Sequence, residues 1–536
     1  MTCLFVLILE ISKIEAIFAS FKINIFRFMY KRIIIYTLFA LFTFTQLSGA
    51  VDKNRPNVIY IYASDMGKGL LSAYGQKQFT TPNLDALVNE GVSFNYAYGG
   101  SQTAHARASL LTGYHDCNKD KWHISRGGNY IRKDTAHFFE SENLLSGGLL
   151  LPENDLFLPQ VFKEAGYSTA QIGMLGIGNA SSRNQMVSQG WDYFYGYLDL
   201  VRSKGYYPPF LFENNQVVII EGNTRADCGR SYEPENEKSF NERWDMEGKI
   251  IYSPNLFIDK TVELLNDFKD FPFFLMFSTQ LPHGPVSIPA IHPEIANNNA
   301  LTQIEKEYAS MVKLLDDHVG IIMAELSKLG LEENTIIVFA SDNGHEIYYQ
   351  QEGRIKKPFS DNRTGELFDN IYQKYYSDKA GDIFNGNGGL AGTKFSNLEG
   401  GINIPLVFYW KGRLKKSINY EFVSNYDFLP TMADLLGVKL QTKKDGISFL
   451  PALMKGKKLP KTRHIIMASQ EGPALVTNEG WKLRYYNHLK KFELFNLRND
   501  REEKYDVILR FPEKAEELKK ILLKECKGNI DNGVIF

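Results

Sequence analysis

The chain has 536 residues, with 61 Lys+Arg against 62 Asp+Glu and a net charge of -1, so bulk charge draws it neither to nucleic acid nor to anionic lipid. Its hydrophobic content of 44% is that of a globular protein, and the length supports a large core, expected in two domains. The four cysteines, Cys3, Cys117, Cys228 and Cys526, stand far apart without a CxxC pair, which argues against a zinc site and against a disulfide framework while leaving room for one bridge.

The first 50 residues read as an upstream extension and a signal peptide. "MYKRIIIYTLFALFTFTQLSGA" has a basic start at Lys31 and Arg32, an apolar run and a small-x-small end at Ser48 and Ala50. Met29 offers a second start. The run has the length of a signal rather than of a bilayer span, so a membrane anchor is the weaker alternative, and no stable membrane insertion is expected. A secreted or periplasmic protein follows.

Beyond residue 50 strands alternate with helices. "NVIYIYAS" (57–64) is a continuous apolar and β-branched run, the pattern of a buried parallel strand. "TPNLDALVNEG" reads as a helix with Thr81 placed to cap it and Pro82 in its first turn. "LPQVFKEAGYSTAQIG" reads as a helix, a glycine stop and a strand. "FPFFLMFSTQLPH" is a buried strand ending in a polar turn, and "IEKEYASMVKLLDDHVGIIMAELSKLG" is a long amphipathic helix. "NTIIVFASDNG" and "NIPLVFYW" are further strands, the first with polar and acidic residues at its carboxyl end. The alternation predicts an α/β fold, a large and mostly parallel sheet sandwiched by helices, over residues 51–410.

After residue 410 the pattern changes. "SNYDFLPTMADLLGV" is a helix, "HIIMAS", "PALVTN", "WKLRYYN" and "FELFNL" are short strands of an antiparallel sheet, and "PEKAEELKKILLKEC" is a closing helix. Residues 411–536 are thus expected to form a smaller C-terminal α+β subdomain. The polar, Gly-rich stretches around 120–150 and 350–390 read as surface loops at the mouth of a site. In such folds ligand groups collect at the carboxyl ends of strands, where Ser64, Asp65, His283, Asp342 and Asn343 all fall.

Eight segments in order carry a family resemblance: "RPNVIYIYASDMGKG", "TPNLDALVNEGVSFNYAY", "QTAHARASLLTG", "AGYSTAQIGMLGIG", "LPHGP", "FASDNG", "AGTKFSNLEGGINIP" and "YDFLPTMADLLG". Together they resemble the sulfatase family of the alkaline phosphatase superfamily along almost all of the chain after residue 50; any one alone is weak. The resemblance implies a calcium site of oxygen ligands and a signature Cys or Ser converted to formylglycine, whose aldehyde hydrate attacks sulfur. It implies Asp65, Asp342 and Asn343 as calcium ligands, with Ser64 standing where the family usually has another Asp, so weakened calcium affinity is expected. Arg107 matches the signature arginine, His283 the histidine of the Pro-His motif, and Lys394 the lysine that contacts sulfate and the leaving group. Met174 stands in place of the lysine of the Gly-Lys-Trp segment, and Gly176 where many members have histidine.

Thr103 occupies the place of the nucleophile, since Arg107 follows it by four residues whereas His105 follows Ser101 by four. Threonine cannot become formylglycine, because oxidation at its β-carbon yields a ketone. His105 stands where the maturation motif needs Pro or Ala. No formylglycine is therefore expected. Three readings stay open: a hydrolase acting on a sulfated glycan or other sulfate ester, an inactive pseudo-sulfatase that binds such ligands, and a phosphate ester or diester hydrolase using Thr103 directly.

Overall fold

The buried run Asn57–Ala63 forms the central strand β1 of a ten-stranded sheet. The structure, a computed structural model, describes residues 55–124, 149–150, 155–177, 186–187, 189–200, 202–224, 237–349 and 374–535. The signal peptide read over residues 1–50, the start at Met29, Cys3, Cys228 and residues 125–148 and 350–373 of the two surface loops lie outside them.

The other strands before residue 425 are β2 (Val92–Tyr98), β3 (His123–Ile124), β4 (Leu149–Leu150), β5 (Ser168–Met174), β6 (Tyr193–Tyr197), β7 (Phe210–Glu213), β8 (Gln216–Ile219), β9 (Phe273–Ser278), β10 (Thr335–Ser341), β11 (Leu406–Trp410) and β12 (Ser417–Ser424). β3 and β4 pair only with each other; the rest form one sheet in the order β12-β2-β11-β10-β1-β9-β5-β6-β7-β8. The core strands β10, β1, β9, β5 and β6 run parallel. β11 runs against both its neighbours, and β7 and β8 close one edge as antiparallel strands. β12, although it follows residue 410, lies in this sheet parallel to β2.

The helices lie on both faces: α1 (Pro82–Glu90), α2 (Thr103–Thr112), α3 (Leu158–Glu164), α4 (Ser253–Phe268), α5 (Gln303–Lys328) and α6 (Phe428–Leu436). Strand side chains alternate between the faces. Ile59 and Ile61 of β1 join Leu87 of α1, Phe257 of α4 and Leu315 of α5 in one core. Val58, Tyr60 and Tyr62 join Ala108 of α2, Val161 of α3 and Phe428 of α6 in the other. Each large apolar side chain buried there contributes roughly 1.5–3 kcal/mol.

Thr81 precedes α1 as its sequence predicts, but its hydroxyl does not cap the helix backbone. It donates to the Asp85 carboxylate at 2.9 Å and accepts from the Ser72 backbone N–H at 2.9 Å, because Asp85 reaches back to hold the turn before the helix. α5 starts with the Glu305 carboxylate accepting from the Thr302 N–H at 2.8 Å.

Four further strands, β13 (His464–Met467), β14 (Ala474–Thr477), β15 (Trp481–Tyr486) and β16 (Lys491–Asn496), form an antiparallel meander, followed by helix α7 (Pro512–Glu525). Ile465, Val476 and Phe495 on one face pack against Tyr96, Tyr98 and Phe422 of the large sheet. Leu475, Leu483 and Leu494 on the other lie under Leu518 and Leu522 of α7. Cys117 and Cys526 meet in this second core as free thiols. Residues Arg55–Phe536 thus form one compact unit. Among the described residues no helix is long and apolar enough to cross a membrane.

Candidate functional site

β1 and β10 stay in register to their last residues, Ala63 opposite Ser341. Ser64–Asp65 and Asp342–Asn343 therefore leave the sheet side by side. β9, on the other flank of β1, ends at Ser278 and leads to His283. Thr103 is the first residue of α2, and Arg107, one turn on, shares its side of the helix. The loop bearing Lys394 is tied in by two backbone bonds, Lys394 N–H to His345 O at 3.0 Å and Phe395 N–H to Ser101 O at 2.8 Å.

All eight side chains expected at the site converge, and all are buried. Asp65 adopts a left-handed backbone conformation, φ 61°, which Asp tolerates better than most residues. Asp342 Oδ1 accepts from the backbone N–H of Asp65 at 2.9 Å and of Asn343 at 2.8 Å. Its Oδ2 accepts from Ser64 Oγ at 3.2 Å and lies 3.4 Å from Arg107 Nη2. Asn343 Nδ2 donates to Asp65 Oδ1 at 2.8 Å. Thr103 Oγ1 lies 3.4 Å from both Asp65 Oδ1 and Asn343 Oδ1. Lys394 Nζ donates to Asp65 Oδ2 at 2.8 Å and to Thr103 Oγ1 at 3.1 Å, and lies 3.3 Å from His283 Nε2.

Met174 is buried at the end of β5, and its carbonyl accepts from Arg107 Nη1 at 2.8 Å. Gly176, at φ 76°, lies against the same side chain: a Cβ there would stand 2.8 Å from Arg107 Cδ. Glycine at this position gives the arginine its path to Asp342.

The charges close on one another, Asp65 against Lys394 and Asp342 against Arg107. Burial works against ionisation of Asp65, but the His283 ring and Lys394 ammonium facing it, with hydrogen bonds from Lys394 and Tyr348, hold its carboxyl well below the usual carboxylate range. Burial and the nearby Asp65 charge raise Asp342, opposed by Arg107. Burial brings the His283 imidazole down to about 3 against the pull of Asp65, so it is neutral at neutral pH.

Several neighbours were not read from the sequence. Tyr348 donates its phenol proton to Asp65 Oδ2 and packs its ring on His283. Ser278 bridges Arg107 and the Met174 carbonyl. Lys204 follows β6 on a turn whose Ser203 and Gly205 carbonyls accept from Gln280, three residues before His283. Burial and the Lys394 charge lower Lys204 to about 8, opposed by Asp65, so its ammonium lies within electrostatic reach of both. Lys204 and Tyr348 each follow the end of a parallel strand by seven residues, Lys204 after β6 and Tyr348 after β10, so the rule that ligand groups gather beyond strand ends points to both segments without singling out either residue.

The Sulfatase family model matches residues 56–438, most of the chain. The chain belongs to the sulfatase family. Among curated sulfatases it is 26% identical to the N-acetylgalactosamine-6-O-sulfatase of Bacteroides thetaiotaomicron, over 89% of this chain and 94% of that protein. It is 25% identical to the N-acetylgalactosamine-6-sulfatase of Rattus norvegicus, over 75% of this chain and 66% of that one. The fold is shared with solved structures that include Ps i-CgsB in complex with k-i-k-neocarrahexaose, with a TM-score of 0.63, 22% identity and coverage of 89% of this chain and 93% of the other.

Sulfatases generally bind a metal ion, usually calcium. Here Asp65, Asp342, Asn343, Ser64 and Thr103 present only oxygen donors, which suit a hard cation in kind. Just two of them are carboxylates, and each already faces a cation. Among the described residues no cluster of three His, Cys, Asp or Glu forms a stronger site.

Proposed function

We propose that this is an exported sulfatase-family protein whose site binds the sulfate ester of a glycan without conventional formylglycine turnover. The observation that carries this reading is the position of Thr103 Oγ1, buried at the head of α2, 3.1 Å from Lys394 Nζ and 3.4 Å from Asp65 Oδ1. A single hydroxyl on a methyl-bearing carbon occupies the point where turnover needs an aldehyde hydrate. A sulfated threonine would have no second hydroxyl to expel sulfate, so its release would need water attack at sulfur.

The anion-binding parts are in place. Lys394, Lys204 and Arg107 supply positive charge around Thr103 and Asp65. Neutral His283 accepts or donates a hydrogen bond but is no strong acid at neutral pH. Asp65, Asp342 and Asn343, with Ser64, would hold calcium weakly; when bound, it supplies positive charge toward an ester oxygen. The sulfated-glycan class is supported by the named activity of the Bacteroides relative, and export by the signal-like N-terminus.

One contact favours a second reading. The Lys394 bond to Thr103 Oγ1 would stabilise the alkoxide of a threonine attacking a phosphate ester. The assay that separates the readings uses aryl sulfate, aryl phosphate and phosphodiester substrates, with and without calcium or zinc. We expect no sulfatase turnover by the native chain and an unmodified Thr103 in its mass spectrum. The variant Thr103→Cys/His105→Pro/Ser64→Asp/Met174→Lys, co-expressed with a formylglycine-generating enzyme, should carry the aldehyde and gain aryl sulfatase activity. Efficient native sulfate ester hydrolysis, abolished by Thr103→Ala, would overturn the proposal; phosphate ester hydrolysis with the same dependence would establish the second reading.

A further inference from the structure

A second basic cavity of about 190 Å³ lies between the turn after Asp65, strand β2 and the C-terminal segment, lined among others by Lys68, Asn95, Asn387 and Arg501. Lys68 is 8% exposed. Its ammonium donates to the backbone carbonyls of Phe94 at 3.1 Å and Asn95 at 2.7 Å, which uses two of its three N–H groups. Arg501 Nη2 donates to the same Asn95 carbonyl at 3.1 Å, so the two cations meet at one point of β2. The Arg501 Nε–H is buried without a hydrogen-bond partner.

Among the described residues neither cation forms an ion pair. Glu399 reaches Lys68 only through space. Its own oxygens are engaged, Oε1 by Lys482 at 3.0 Å and Oε2 by Tyr98 at 3.2 Å and Asn403 at 3.0 Å. Burial and the Arg501 charge hold the Lys68 ammonium well below its ordinary range. A buried ammonium beside a half-buried guanidinium is costly unless an anion joins them. The wall is rigid: Gly69 N–H bonds Gly386 O at 2.9 Å, and a Cβ at Gly69 would stand 1.9 Å from Asn385 O.

We propose that this cavity is a second anion site, separate from the Thr103 cluster, in which a sulfate-sized oxyanion lies between Lys68 Nζ and the Arg501 guanidinium. The anion is either free inorganic sulfate or a sulfate group carried on a sugar.

Calorimetric titration of the full chain with sodium sulfate, at constant ionic strength in chloride, tests it. Native protein should show two classes of site. Lys68→Met and Arg501→Met should each weaken one class at least tenfold and leave the other, whereas Lys394→Met should do the reverse, and Lys68→Arg should bind as the native chain does. Titrations of folded Lys68→Met and Arg501→Met that superimpose on the native one, or loss of all sulfate binding in Lys394→Met, would overturn the proposal. Selenate soaked into native crystals gives a measurement independent of variant folding: anomalous density between Lys68 and Arg501 supports the site, and none at saturating selenate refutes it. Displacement of that selenate by inorganic sulfate alone supports the free anion, and displacement also by a sulfated monosaccharide supports the sugar-borne group.

Discussion

Ser64 Oγ lies 3.2 Å from Asp342 Oδ2 and 3.0 Å from Arg107 Nη2, so it joins a carboxylate to a guanidinium and brings no charge of its own. With two carboxylates facing two cations, a divalent ion must compete with Lys394 for Asp65. Native calcium affinity should therefore be weak, about millimolar, and Ser64→Asp should strengthen it at least tenfold, read by calorimetry and by the rise in melting temperature with calcium. No calcium binding in either form would refute the ligand assignment. Lys204 makes a second residue-level prediction. If it supplies the positive charge that Met174 does not, Lys204→Met should weaken binding of a sulfated monosaccharide about tenfold, or roughly 1.4 kcal/mol. Lys204→Arg should largely restore it, and equal affinity in Lys204→Met and native protein would exclude the role.

Strand β15 reaches toward the site through a buried ion cluster. Lys482 Nζ lies 3.0 Å from Glu399 Oε1 and 2.9 Å from Glu503 Oε1, with all three side chains buried. Glu503 Oε2 also accepts from the Glu399 backbone N–H at 2.6 Å. Glu399 opens the short helix Glu399–Ile402, five residues after Lys394, so the meander braces the loop that carries a site cation. Lys482→Met leaves two carboxylates buried together and should destabilise the protein by about 3–5 kcal/mol in urea unfolding. Adding Glu399→Gln and Glu503→Gln should recover much of that loss. A single variant as stable as the native chain would show that the cluster is not holding the loop.

Across the whole molecule, the segment following α2 joins the large sheet's site to the small sheet. Asp116 Oδ1 accepts from the Ala468 backbone N–H at 2.6 Å, beside the core where Cys117 and Cys526 meet. Burial pushes the Asp116 carboxyl up to about 6, against the Ala468 hydrogen bond and the charge of His115. Between about pH 4 and 6 the folded state keeps a proton that the unfolded chain has released, so this group makes stability fall as pH rises through that window. The change amounts to about 3 kcal/mol. Asp116→Asn keeps the acceptor oxygen and removes the titration, so it should be more stable than the native chain at pH 7 and equal to it at pH 4. Parallel stability curves for the two proteins between these pH values would show that Asp116 does not titrate as its burial implies.

The sequence by itself determined the buried strands β1, β5, β9, β10 and β11, their order along the chain and the polar residues that follow β1, β9 and β10. Apolar runs such as 57–63 and 335–341 announce buried strands whatever surrounds them, and the polar residue after such a run leaves the sheet at its carboxyl end. The four-residue step from Thr103 to Arg107 likewise puts both on one side of a helix from spacing alone. Tertiary structure decided the rest. Asp65 faces Lys394 across 329 positions of chain, and Tyr348 reaches Asp65 across 283. Lys68 and Arg501 share a carbonyl of β2 although 433 residues separate them in numbering, and nothing local marks either as a partner of the other. The return of β12 to the large sheet was hidden for the same reason, because its pairing with β2 is settled by long-range hydrogen bonding rather than by its own exposed and mixed residues. Periodicity and breakers act within a few residues, whereas charge closure and cavity walls are set by which distant loops the folded sheet brings together.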